Sequence, residues 1–277
     1  MKMKKHTKLA AMVAGLTLFL TACSTSPITE QSTGFWDKGI VYNFSQFIVW
    51  LSEVFGGSYG VGIIVFTIIT RVLLLPLMHF QYKATRKTAI LQPKVKELRE
   101  KYSSRDRETQ MLLQEKVSEL YKEEGINQYA ALIPLFIQLP IMIALYQAIS
   151  RTEVLKTGTF LWFQLDQPDP YFILPVLAAF FTLVVSWLTT KMQDQGMASK
   201  IMMFVMPTMI LVISIPLPSI LGLYWVVGNV FSVIQTLVMN NPFKFRKELD
   251  AKLLAEKQRQ KALEKAKNPK KKHTKRK

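Results

Sequence analysis

Residues 60–79 read GVGIIVFTIITRVLLLPLMH, an apolar run with one arginine in its middle. A bilayer core is crossed by a helix of about 20 predominantly apolar residues. The run is long enough, and Arg71 then falls inside the hydrocarbon thickness. An arginine placed there costs about 2.5–3.5 kcal/mol on insertion scales. A chain that keeps such a charge must give it water, acceptors or an acidic partner. No Asp or Glu lies within the long apolar runs at 60–79, 129–150, 171–190, 201–215 and 219–239, so an intramembrane ion pair has no candidate. Two accommodations remain: a wet polar cavity opened into the membrane, or a charged head that snorkels out along its stem. The cavity is the reading carried forward, because an ionisable group inside a membrane is by default a functional one.

The rest of the composition agrees with a membrane protein. Hydrophobic residues make up 49% of 277, within the range of soluble domains, but they are gathered in long blocks that an ordinary soluble domain does not carry. The formal charge of +17 is also uneven: residues 244–277 hold fifteen Lys/Arg against four Asp/Glu. A single Cys excludes an intramolecular disulfide. No P-loop, HExxH, GxSxG or acidic metal cluster is present, and the three His are His6, His79 and His273. We therefore expect no enzyme, no cofactor and no metal.

Residues 1–22 pair a basic start (Lys2, Lys4, Lys5, Lys8) with the apolar LAAMVAGLTLFL, the form of a signal peptide. It ends in Leu20-Thr21-Ala22-Cys23, which resembles the lipobox of bacterial lipoproteins and implies cleavage before Cys23 and a thioether-linked diacylglycerol on it. The plainer alternatives are a lone buried thiol, or an Ala-x-Ala-like cleavage nearby. Segment 23–58 reads as an external tether followed by an amphipathic interfacial helix over 36–55. Ile40, Phe44, Phe47, Trp50, Leu51 and Val54 fall on its apolar side, with Asp37, Ser45, Ser52 and Glu53 elsewhere. A short helix packed on the others from outside fits equally well. Then come a first span at 59–80, a charged helical hairpin at 81–127 turning at Ser103–Asp106, and a second span at 128–150. An external loop (151–170), a third span (171–190) and a cytoplasmic loop (191–200) follow. A short fourth span (201–215), a fifth (219–239) and a basic cytoplasmic tail (240–277) complete the chain. The methionines of the fourth span read as soft packing or lipid-facing residues. Basic residues place 80–127, 191–200 and the tail in the cytoplasm, and 24–59 and 151–170 outside.

Polar residues in the spans recur at helical spacing, so each set shares a face. Thr67 stands one turn before Arg71; Thr182, Ser186, Thr189 and Gln193 form a stripe in the third span. Trp225, Asn229, Ser232 and Thr236 form another in the fifth, and Gln138 lies near the start of the second. Any one stripe is explained by interhelical hydrogen bonds, each worth about 0.6–2 kcal/mol. The arginine tips the set toward one hydrated groove, because such bonds alone do not require a cation.

TRVLLLPL around Arg71, QPKVKELREKY in the hairpin, PLFIQLPI at 134–141 and GLYWVVGNVFSVIQ at 222–235 resemble the YidC/Oxa family of membrane protein insertases. The resemblance spans nearly all of 36–243, and the lipobox makes the chain similar to the Gram-positive branch. Gln128 departs from the proline the family commonly has there. The resemblance implies an all-α polytopic membrane protein: five transmembrane helices around a hydrophilic groove closed to the outside, a mobile cytoplasmic hairpin and an external amphipathic helix. By position Arg71 matches the family's groove arginine, and Thr67 and Trp225 match positions that face inserting segments. The implied partners are nascent membrane proteins, membrane lipids, the ribosome and, for some substrates, the Sec translocon. Lys270, Lys271, Lys272, Lys275, Arg276 and Lys277 would meet ribosomal RNA by phosphate neutralisation, or else anionic lipid. The implied location is the bacterial plasma membrane, with a lipid-anchored amino terminus outside and the carboxyl terminus in the cytoplasm. A channel or small-solute transporter is the rival, though neither an inverted repeat nor paired broken helices is seen. An intramembrane protease or lipid enzyme lacks a base on a facing helix.

Overall fold

The computed structural model describes residues 26–126, 133–192 and 197–267. Cys23, Gln193 and the basic run from Lys270 to Lys277 lie outside the described residues. What is described is mostly helical. A π-helical segment Phe35–Tyr42 leads into α1 (Asn43–Val54), then come α2 (Tyr59–Leu73), α3 (Leu75–Lys101) and α4 (Arg107–Glu123). After these stand α5 (Ile133–Arg151), a short α6 (Glu153–Lys156) and a two-stranded antiparallel hairpin of β1 (Thr159–Phe160) and β2 (Phe163–Gln164). The chain continues with α7 (Ile173–Met192), α8 (Met197–Ser214), α9 (Ser219–Met239) and α10 (Pro242–Lys267).

Among the described residues, α7 and α9 are by themselves long and apolar enough to cross a membrane. The apolar run around Arg71 is not one unbroken helix. α2 ends at Leu73 and is about 22 Å long at 1.5 Å per residue, and α3 starts at Leu75. Pro76 explains the break, since it has no N–H to return to the preceding turn. The Leu74 and Met78 amides still bond to the Thr70 and Leu74 carbonyls, so the chain passes the joint with little interruption. The first helix of the hairpin therefore grows directly out of the apolar run.

The segment 35–54 meets α2 at 114° and packs on it. Toward the rest of the protein it turns small polar residues and leaves part of its apolar side outward, where an interfacial helix meets lipid. Ser45 and Ser52, expected away from the apolar face, are fully buried, while Trp50 and Val54 are more than half exposed. The reason is a close helix crossing. A Cβ at Gly62 of α2 would stand 2.1 Å from the Ser52 hydroxyl oxygen, so a small residue on each side lets the backbones approach. Each serine hydroxyl is satisfied within its own segment, Ser45 on the Tyr42 carbonyl and Ser52 on the Ile48 carbonyl. Phe44 and Phe47 then pack edge-on against Phe66, at ring distances of 5.2 and 6.1 Å.

One core joins α1, α2, α5, the loop after it, α7 and α9, with Ile63, Phe66, Leu145, Ile149, Leu165, Ile220 and Tyr224 at its centre. α8 packs chiefly on α7 and leaves Met202, Met206 and Met209 exposed. The tail read from sequence begins as a helix. Phe245 and Leu249 of α10 close a second small core with Ala89 of α3 and Met192 of α7. The outer hairpin helix α4 buries none of its side chains.

Candidate functional site

Arg71 lies in the last turn of α2, half-buried, where α2 packs against α9. Its Nε is buried without a hydrogen-bond partner, and among the described residues no carboxylate pairs with it. Its guanidinium carbon stands 6.0 Å from the Tyr224 ring centre, within reach of a cation–π attraction. The Tyr224 hydroxyl accepts a 2.9 Å hydrogen bond from Gln138 Nε2 of α5. Gln138 and Arg71 are thus brought together through Tyr224, a residue the reading of stripes passed over.

The other expected residues divide. Thr67 is fully buried and its hydroxyl donates to the Ile63 carbonyl at 2.7 Å, so it forms packed wall rather than open polar surface. Thr182 donates to the Ala178 carbonyl and accepts from Asn229 Nδ2 at 2.7 Å, a bridge between α7 and α9. Thr189 and Ser232 are satisfied on their own helices, at Val185 and Gly228. Ser186 is half-buried, and its carbonyl accepts from Thr190. Trp225 is partly buried against the main core. Two of these contacts, Thr182 with Asn229 and Gln138 with Tyr224, are interhelical bonds of the kind that explains a single stripe. The arginine has no such account.

The two ends of this site differ. At the loop end, the 158–170 segment folds over the start of α9: the Ser219 amide and hydroxyl both donate to the Gln167 carbonyl, and the Ile220 amide to Leu165. Asp169 fixes that loop. One of its oxygens accepts from Trp162 Nε1 at 2.9 Å and the Tyr171 amide, the other from the Leu174 amide at 2.6 Å. At the hairpin end the contacts run between side chains, around the small core of Ala89, Met192, Phe245 and Leu249. Tyr82 meets Thr236 at 3.4 Å, Arg86 bonds Asn240, and Asn240 reaches the Met192 sulfur. The site is sealed by packed backbone at one end and by side chains at the other.

Further from Arg71, the loop end holds a second arginine. Arg151 makes a bidentate pair with Asp37 at 2.9 and 2.7 Å, bonds the Ser26 carbonyl at 2.7 Å and shares Gln147 Oε1 with Trp36. Among the described residues no group of three His, Cys, Asp or Glu could hold a metal ion.

Comparison with known proteins gives three findings. The family profile described as 60Kd inner membrane protein matches residues 50–248. A protein of Enterococcus faecalis named "Membrane protein insertase YidC" is 55% identical over 273 residues, 98% of each chain. One of the same name from Pediococcus pentosaceus is 55% identical over 256 residues, 91% of each. A solved structure titled "Active YidC insertase crystal structure with the first transmembrane domain resolved" is similar with a TM-score of 0.61 and 29% identity. It covers 74% of this chain and 47% of its own.

Proposed function

The chain belongs to the 60Kd inner membrane protein family, and from that premise we propose that it is a membrane protein insertase and chaperone working through a hydrated groove around Arg71. It inserts and helps fold integral membrane proteins and lipoproteins, alone or with the Sec translocon. The observation that carries the groove is the guanidinium itself. It stands half-buried between two apolar helices, with an unpartnered Nε and no paired carboxylate among the described residues. In a low-dielectric setting its field is weakly screened, so it attracts acidic residues in the short exported segment of a substrate. The groove shortens the hydrocarbon distance that segment must cross, while the substrate's apolar helix leaves sideways into lipid. No bond is made or broken.

Five spans at 59–80, 128–150, 171–190, 201–215 and 219–239 form the wall, with the hairpin and basic tail in the cytoplasm and the loop end outside. The seal by the 158–170 segment supports a groove closed toward the outside, and the side-chain contacts at the hairpin end support entry from the cytoplasm. Thr182, Ser186, Thr189, Gln193, Trp225, Asn229 and Ser232 line the exit seam between the third and fifth spans. The Thr182–Asn229 bond then acts as a clasp that must open for release. Cys23 carries the lipid anchor, and the run from Lys270 to Lys277 contacts the ribosome. The channel or transporter reading is not favoured, since relatives 55% identical over nearly the whole chain are named insertases. Purified protein in liposomes tests the proposal. Integration of a single-span substrate without ion conductance supports it; conductance without integration overturns it.

A further inference from the structure

We propose that Gly228 is a positioning residue for Arg71: the side chain it lacks is the seat of the guanidinium, so α9 decides where the charge of the groove stands. Gly228 is buried in the middle of α9. A Cβ built on it would lie 2.4 Å from Arg71 Nη2 and 3.1 Å from both Cζ and Nε. These three guanidinium atoms are its nearest neighbours across the helix contact; the backbone of α2 is not among them. The glycine is therefore matched to the charged group, not to a close approach of two backbones as at Gly62.

The seat has built sides. Tyr224 lies one turn before Gly228 on the same face, its ring 6.0 Å from the guanidinium carbon, and Gln138 of α5 holds its hydroxyl at 2.9 Å. One turn after Gly228, the Ser232 hydroxyl turns back onto the Gly228 carbonyl and leaves the face clear of a long side chain. Among the described residues Nε is buried and unpartnered, so no hydrogen bond at that atom fixes the guanidinium plane. Shape is what remains, and at its closest point the shape is the missing methyl.

A guanidinium is the free end of a flexible chain. A methyl at 228 would push it aside rather than break the helix contact, and alanine is the better helix former. Gly228→Ala therefore moves the charge and keeps the fold. This inference rests on the reading of Arg71 as a field source, and the test separates the two.

Tyr224→p-cyanophenylalanine places a nitrile beside the seat, and its stretching frequency reports the local field in the full-length protein in lipid nanodiscs. The difference between this protein and its Arg71→Ala variant calibrates the field of the arginine. Adding Gly228→Ala should abolish most of that difference while the melting temperature holds or rises. A nitrile frequency unchanged by Gly228→Ala overturns the proposal. Insertion is measured in parallel on the otherwise native protein. Gly228→Ala should slow substrates with an acidic exported segment by up to about a hundredfold, the scale on which a 1 Å misplacement of a positioned group acts. In an Arg71→Lys background the slender ammonium chain has no fork to collide with position 228, so adding Gly228→Ala should change little. The same added loss in both backgrounds shows a merely structural glycine and overturns the proposal. If the field shift is lost and acidic substrates still insert normally, the seat stands and the field-source reading falls.

Discussion

Arg151 and Arg71 each end an apolar helix, and the protein treats them in opposite ways. Arg151 at the loop end is saturated: a bidentate carboxylate, a glutamine and a backbone carbonyl, with only 4% of its side chain exposed. Arg71 has a ring and a glycine beside it and, among the described residues, no carboxylate paired with it. A brace gains from every donor being used, whereas a group that must engage an incoming segment has to keep its donors free. The contrast fits the proposal that Arg151 braces the fold while Arg71 acts on a substrate.

The largest effect expected from this contrast is on stability. Arg151→Ala leaves the Asp37 carboxylate, 23% exposed, without its partner. Breaking a buried pair costs about 3–5 kcal/mol, and the partial exposure of Asp37 puts the expected loss near the lower figure. Arg71→Ala should cost little by the same thermal melt. A larger loss for Arg71 than for Arg151 would reverse the assignment of brace and free charge.

A smaller effect concerns the seam beside Arg71. Thr182→Val removes the acceptor of Asn229 Nδ2 and should cost about 0.6–1.7 kcal/mol, the range for hydrogen bonds between membrane helices. If the bond is a clasp, crosslinking between cysteines placed on facing positions of α7 and α9 should fall as release becomes easier. Unchanged crosslinking and stability would remove the clasp from the account.

The smallest lies in the hairpin, far from both arginines. Asp106 caps α4 by accepting from the Thr109 amide at 2.8 Å. The Ser104 hydroxyl and the Thr109 amide hold its carboxyl below the ordinary 3.8, at about 2. A depressed folded pKa means the cap's contribution is present above that ordinary value and is lost as pH falls through about 2. Amide exchange at 107–110 should therefore stay protected to near pH 3 and rise below it. Loss of protection already at pH 4–5 would contradict the cap.

The apolar runs and the hairpin were legible because each obeys a local period, and the turn at Ser103–Asp106 because its residues cap locally. The break at Leu74 carries only a weak mark, Pro76, inside a run that hydropathy reads as continuous. The burial of Ser45 and Ser52 against α2 is not readable from polarity, because a close crossing selects for size. The Asp37–Arg151 pair joins residues 114 apart, and no periodic pattern records it. Tyr224 and Gly228 sit within a quoted motif, yet a search for polar stripes overlooks an aromatic wall and an absent side chain. The reading of Arg71 as the site rests on one fact in the sequence, a cation in an apolar run with no acid to answer it.

The central claim is that Arg71 acts through its charge. Insertion should be measured for Arg71→Lys and Arg71→Ala, each with substrates whose exported segment is acidic or neutral, alongside the level of folded protein. A field source predicts that lysine keeps much of the activity, and that alanine fails chiefly on acidic segments with folded protein undiminished. A planar brace cannot be replaced by an ammonium. Equal failure of Lys and Ala on every substrate would contradict the account.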